Sequence, residues 1–187
     1  ELAASHTGSL SGADKVLRAI FKRYGIVEAH DLEELMGLAT AFSWLAKLPQ
    51  GKRCVFMCVS GGEAGVMADL TEDYGIELAE YKPETKAYLQ TLVPDYGSVN
   101  NPFDMTAGIG YNTPVMVDAI KAISKDENVD CICIAYTITP QVWDDTITHM
   151  VEAVEEARKD PEVKPLIWIP YIEHTRDKES AERLKKA

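Results

Sequence analysis

Residues 53–70, Arg53-Cys-Val-Phe-Met-Cys-Val-Ser60-Gly61-Gly62-Glu63-Ala-Gly65-Val-Met-Ala-Asp-Leu70, decide the fold. The apolar run over residues 53–59 predicts a buried strand. A glycine turn follows, then a helix over residues 63–74 closed by Gly75. A strand feeding a glycine turn and a helix start makes an anion site, because backbone N–H groups point outward at the positive end of the helix dipole. Ser60 adds a hydroxyl donor, so Ser60, Gly61, Gly62 and Glu63 form the candidate phosphate-binding turn. The plainer reading is a tight turn with Gly65 packed on the sheet and Glu63 complementing the dipole of the first helical turn. No Gly-Lys-Ser/Thr follows and three-glycine spacing is lacking, so neither the P-loop nor the dinucleotide pattern applies.

Working outward, strands and helices alternate. A strand over 77–81 precedes a helix over 83–92 with Pro83 in its first turn. A loop from Val99 runs through Asn101-Pro-Phe-Asp104 to a helix over 113–125. A strand over 129–136, apolar on both faces, suits the centre of a parallel sheet. A helix over 140–159, a strand over 165–171 and a polar helix over 177–187 complete the pattern. This predicts an α/β fold: a doubly wound parallel sheet with right-handed crossovers and helices on both faces. Upstream, helices are expected over 13–24 and 31–47, with a short strand at 26–27 between them. The polar break Pro49-Gln50-Gly51-Lys52 is the expected domain boundary. Trp44, Trp143 and Trp168 read as packing residues.

Ligands of such sheets bind beyond the carboxyl ends of the strands, where strand order reverses. The glycine turn lies at such an end. Asn101 and Asp104 lie at another; their composition marks a turn, and their position allows them to touch a ligand. His6, in Ser5-His6-Thr7-Gly8-Ser9, is the one further candidate for the same place. Imidazole is nucleophilic at neutral pH and suits transient carriage of a phosphoryl group. The plainer reading, which the residues alone favour, is a histidine of a disordered N-terminal stretch. His30 reads as part of a helix entry, His149 as a rim residue and His174 as a loop residue. No two share a metal-ligand spacing, so no metal site is expected.

The chain has 187 residues and a net charge of −11, which opposes binding to nucleic acid. Any phosphate must therefore be held by local amides. No apolar run reaches the roughly 18 residues of a membrane span, and no secretion leader is expected. The four cysteines, Cys54, Cys58, Cys131 and Cys133, lie in two strand-like runs and read as small buried hydrophobes of a reducing, cytoplasmic compartment.

Four motifs occur in order: Ser5-His-Thr-Gly-Ser-Leu-Ser-Gly12, Asp31-Leu-Glu-Glu-Leu35, Ser60-Gly-Gly-Glu-Ala64 and Asn101-Pro-Phe-Asp104. Together they resemble the nucleoside-diphosphate-forming acyl-CoA synthetases, relatives of succinyl-CoA synthetase, over nearly the whole chain. The resemblance implies a flavodoxin-like CoA-ligase domain over residues 53–187, preceded over residues 1–48 by the tail of a histidine-bearing domain. It implies phosphorylation of His6 and receipt of phosphate at Ser60–Glu63. The implied reaction is acyl-CoA + ADP + phosphate ⇌ acid + CoA + ATP. CoA, ATP or ADP and Mg²⁺ are then expected for the full enzyme, with no covalently bound cofactor. Its expected partners are the ATP-grasp and CoA-binding domains of the same enzyme, in a homo-oligomer, and the present stretch alone is expected to be inactive. Glu63 and Ala64 depart from the Pro or Ala followed by Gly of many relatives. The alternative is a sensor of CoA thioester or nucleotide without turnover, as in acetyltransferase fusions. A receiver domain is disfavoured, because the strand ends at Ser60 and Tyr136 lack its acidic cluster.

Overall fold

The structure is a computed structural model that describes residues 14–138, 145–170 and 177–187. The chain divides into two compact units, Glu1–Ser43 and Trp44–Ala187. The expected boundary at residues 49–52 lies a few residues further on.

The first unit carries helix α1 (Asp14–Tyr24) and most of helix α2 (Leu32–Trp44). Gly25 ends α1 in the left-handed region, φ +65°, where a side chain would be strained. The start of α2 is tied reciprocally. The Glu34 N–H donates to Asp31 Oδ1 at 2.8 Å, and the His30 N–H donates to Glu34 Oε2 at 2.7 Å. His30 thus belongs to a helix entry, as its position suggests. Residues 26–27 form no strand. The Ile26 N–H instead caps Phe21 O at 2.9 Å. The predicted apolar stripes are helical, but Leu32, Met36 and Tyr24 stay 66–78% exposed.

The second unit is a parallel sheet with helices on both faces. Its elements are β1 (Arg53–Cys58), α3 (Gly61–Tyr74), β2 (Glu77–Leu78), α4 (Pro83–Leu92), β3 (Phe103–Asp104), α5 (Ala107–Gly110), α6 (Thr113–Lys125), β4 (Cys131–Ala135), α7 (Thr146–Ala157), β5 (Leu166–Ile169) and α8 (Lys178–Lys186). The strand order is β2-β1-β4-β5. β3 pairs with the far end of β1, at Met57 and Cys58, while β2 pairs with its near end, at Arg53 and Cys54. Every pairing between these strands is parallel. β4 is buried throughout, and β1 from Cys54 on, as continuous apolar runs demand of central strands.

One face turns Val55, Met57, Ile132 and Ile134 into a core shared with Leu89 of α4, Met116 and Ile120 of α6 and Met150 of α7. The other turns Cys54, Phe56, Cys58, Cys131 and Cys133 toward Met67 of α3. Fully burying a Met or Ile side chain contributes about 1.5–3 kcal/mol relative to leaving it in water. The base of the sheet is pinned by Asp130, which accepts from the Arg53 backbone N–H at 2.9 Å and from its guanidinium at 3.0 and 2.9 Å. The Arg53 guanidinium holds the Asp130 carboxyl below the usual carboxylate range. Gly51 is required there, since a Cβ would lie 2.3 Å from Asp130 Oδ2.

Several expectations are corrected. The strand expected over 77–81 pairs only at Glu77–Leu78; beyond the bond from the Ala79 N–H to Cys54 O, the chain turns toward Pro83. The 99–108 loop contains a strand and a short helix, β3 and α5. The helix expected over 140–159 spans Thr146–Ala157 among the described residues. Trp168 is half-buried and its indole N–H donates to Tyr136 O at 2.9 Å, whereas Trp44 is 49% exposed, with Lys185 Nζ 4.5 Å above its ring. Trp143 and His174 lie outside the described residues. No described helix is long and apolar enough to cross a membrane.

Candidate functional site

The chain leaves β1 toward β2 on one side and reaches β4 on the other, so strand order reverses at β1. The site lies at the carboxyl end of that strand. Ser60 is the N-cap of α3, in extended backbone at φ −145°, and Gly61 and Gly62 form the first two helical positions. The helix thus starts two residues earlier than the sequence predicts, and the glycines belong to its first turn.

Ser60, Gly61 and Gly62 are exposed. The backbone bonds of α3 begin at the Ala64 N–H, which donates to Ser60 O at 3.0 Å. Among the described residues the N–H groups of Gly61, Gly62 and Glu63 have no acceptor, and the Ser60 hydroxyl makes no capping bond. Three amides and a hydroxyl are therefore available at the positive end of a 14-residue helix. A Cβ on Gly65 would meet nothing within 4 Å, so the reading that packs this glycine on the sheet is not supported.

Two carboxylates edge the turn. Glu63 folds back so that Oε2 accepts the Val59 N–H at 3.4 Å. Burial raises the Glu63 carboxyl above its ordinary range; the Val59 bond opposes the rise and the charge of Asp104 adds to it. Asp104 Oδ2 lies 3.4 Å from where a Gly61 Cβ would stand, and its Oδ1 accepts the Thr106 N–H at 2.9 Å. The structure thus brings Asp104 to Ser60–Glu63. It does not bring Asn101. That carboxamide is committed to the sheet: Oδ1 accepts the Phe56 N–H at 3.0 Å, and Nδ2 donates to Cys54 O at 2.7 Å and Ala79 O at 3.0 Å. Asn101 is therefore corrected from a ligand candidate to a tie between strands. His6 lies outside the described residues.

Thr106 escapes sequence reading. Its φ of 67° is a region L side chains rarely adopt, and its hydroxyl is buried with no partner among the described residues. No residue propensity signals this, since threonine is not a residue that favours positive φ. Nearby, α5 meets α7 closely, since a Cβ on Gly110 would stand 2.7 Å from Thr146 Cγ2. His149 sits apart from the turn in its bonding: Nδ1 lies 3.3 Å from Thr113 Oγ1 and Nε2 3.9 Å from Asp145. Among the described residues no group of three or more His, Cys, Asp or Glu side chains is placed to hold a metal. Chemically, the turn can take an oxyanion on its amides, against the repulsion of two carboxylates.

Two family models match. The Succinyl-CoA ligase like flavodoxin domain covers residues 1–42, and the Ligase-CoA domain covers residues 54–184. Acetate--CoA ligase [ADP-forming] II subunit alpha of Pyrococcus furiosus is 32% identical over 177 residues, 91% of this chain and 37% of the relative. The corresponding alpha subunit of ligase I from that organism is 34% identical over 171 residues, 88% of this chain and 35% of the relative. Among solved structures, the dinucleotide forming acetyl-coenzyme A synthetase 1 of Ca. Korarchaeum cryptofilum, in complex with phosphate and ADP, superposes with a TM-score of 0.71 at 27% identity. That match covers 99% of this chain and 38% of the other. The chain thus spans under two fifths of the length of each of these relatives.

Proposed function

Starting from the fact that this chain belongs to the Ligase-CoA domain family, we propose that it is part of an ADP-forming acyl-CoA ligase and receives phosphate at Ser60–Glu63. The observation that carries this reading is the exposed first turn of α3, with three unpartnered amides and a hydroxyl at the switch point of the sheet. The relatives named above are ADP-forming ligases of acetate and CoA, which supports CoA, a nucleotide and phosphate as the substrates.

The reaction balances in three steps. Phosphate oxygen attacks the acyl-CoA carbonyl, the carbon–sulfur bond breaks, and CoA leaves with an acyl phosphate remaining. An imidazole nitrogen of His6 then attacks phosphorus, and the carboxylic acid departs. ADP finally takes the phosphoryl group from His6, giving ATP and free imidazole. The role of the α3 amides is to hold the phosphate oxygens as charge shifts among them, without reorganisation of solvent. Asp104 orders its own loop through Thr106. Glu63, with its raised pKa, holds a proton more readily than an ordinary glutamate beside the incoming anion. Mg²⁺ would accompany the nucleotide on the parts of the enzyme that bind it. The four free cysteines fit a reducing, cytoplasmic setting.

The reading is tested by measuring ATP formation from acetyl-CoA, ADP and phosphate by the native enzyme and by Gly61→Val. A branched side chain at this position crowds Asp104 and covers the amides. The expected result is a phosphate KM raised about tenfold or more, at the level of one or two lost charge-assisted hydrogen bonds. An unchanged phosphate KM in a folded Gly61→Val enzyme contradicts it.

A further inference from the structure

The mouth of the sheet sets donors against an acceptor. On one side stand the N–H groups of Gly61, Gly62 and Glu63 and the Ser60 hydroxyl. On the other stands Asp104, which β3 carries to the end of β1 through its register with Cys58. The two oxygens of this carboxylate are used differently. Oδ1 accepts the Thr106 N–H at 2.9 Å. Oδ2, 3.4 Å from where a Gly61 Cβ would stand, has no donor among the described residues. The backbone around it is held firmly. Phe103 before it is buried, Asp104 itself bridges Ser98, and the Met105 N–H after it donates to Cys58 O at 2.9 Å. Glu63 differs, since its Oε2 folds back onto the Val59 N–H. One fixed acceptor oxygen therefore borders a turn of donors.

Resting on the reading that Ser60–Glu63 receives phosphate, we propose that Asp104 makes this mouth select an oxyanion that carries a proton, hydrogen phosphate or its arsenate analogue, over sulfate. A carboxylate has lone pairs and no hydrogen to give, so it can only accept. Phosphate near neutral pH retains at least one proton, and its P–O–H donates to Asp104 Oδ2. Such an O–H···O⁻ bond is short and strong, because one partner is charged. The remaining phosphate oxygens then fall to the amides of Gly61, Gly62 and Glu63 and to the Ser60 hydroxyl. Sulfate has the same shape and size but no proton at this pH. It meets the same carboxylate with two facing lone pairs and no bond between them. The negative charge that weakens binding of every anion at long range thus becomes, in contact, a partner for the one that can donate.

The test measures ATP formation from acetyl-CoA, ADP and phosphate by the native enzyme, with sulfate or arsenate added as competitor of phosphate at constant ionic strength and neutral pH. Arsenate should compete at an inhibition constant close to the phosphate KM, and sulfate at one about tenfold or more higher, the worth of one hydrogen bond to a charged group. Asp104→Asn keeps an oxygen for the Thr106 N–H and turns an N–H toward the anion in place of Oδ2. In that variant the sulfate constant should fall to that of arsenate. Glu63→Gln should move both constants together and leave their ratio as it was. Equal competition by sulfate and arsenate in the wild-type enzyme overturns the proposal, whether or not any variant folds. So does selectivity that persists in Asp104→Asn. Failure of the underlying reading is distinct: phosphate bound elsewhere leaves the phosphate KM unchanged in Gly61→Val, whereas loss of the Asp104 role alone leaves that KM raised and the two anions unresolved.

Discussion

Glu63 is the residue that most distinguishes this mouth. It occupies the third position of α3, where a carboxylate complements the helix dipole, and it reaches back to the Val59 N–H. Yet it also stands beside the amides that would take a phosphate, with Asp104 as a second negative neighbour. Burial wins over its hydrogen bond, so its carboxyl binds a proton more tightly folded than unfolded. The folded state is therefore disfavoured as pH rises through the window that opens near the ordinary value of 4.5. Above the folded pKa the loss is constant, and below 4.5 it vanishes. Glu63→Gln removes this dependence. The variant should unfold at higher urea than the wild type at pH 7 and equally at pH 4. It should also bind inorganic phosphate about tenfold tighter at pH 8 by calorimetry, since one charge near the anion is gone. Equal phosphate affinity in the two proteins would remove Glu63 from the account of the mouth.

Among the elements, β3 shows how far local sequence reaches. It is only Phe103–Asp104, too short for any alternation to register, and it exists because Asn101 supplies what a longer strand would. That side chain bonds the backbone of β1 and the residue following β2 in three places. Asn101→Ala takes this partner from the Phe56 N–H and from Ala79 O, while Cys54 O keeps the Ala79 N–H, and should cost about 2–4 kcal/mol, measured by urea unfolding. A loss below 0.5 kcal/mol would show that the tie is dispensable. The central strands were legible because a strand buried on both faces must be apolar throughout, and residues 54–58 and 131–135 are. Residues 77–81 were overread, because apolar character survives where the ladder has already ended. The glycine turn was legible as a strand-to-helix junction. Asn101 was misassigned because a strand-end asparagine looks the same whether it faces a ligand or the sheet, and only the register decides. Thr106 was missed because nothing in a threonine's own type signals a positive φ, although the bond from its N–H to Asp104 Oδ1 is local.

For the whole molecule, a net charge of −11 sets the problem that the mouth must solve. A protein so acidic repels phosphate at long range, although salt limits that field to about 8–10 Å. Binding would therefore have to come from donors in direct contact with the anion, the role proposed for Ser60–Gly62. His6, as a phosphoryl carrier, would bring its cargo to such donors. The most direct measurement is a phosphate map: the native enzyme is incubated with γ-labelled ATP and Mg²⁺, digested under alkaline conditions and read by mass spectrometry. The account predicts acid-labile, alkali-stable phosphate on His6, lost in His6→Ala and discharged as ATP on addition of ADP. Phosphate on another residue, or full ligase turnover in His6→Ala, contradicts it.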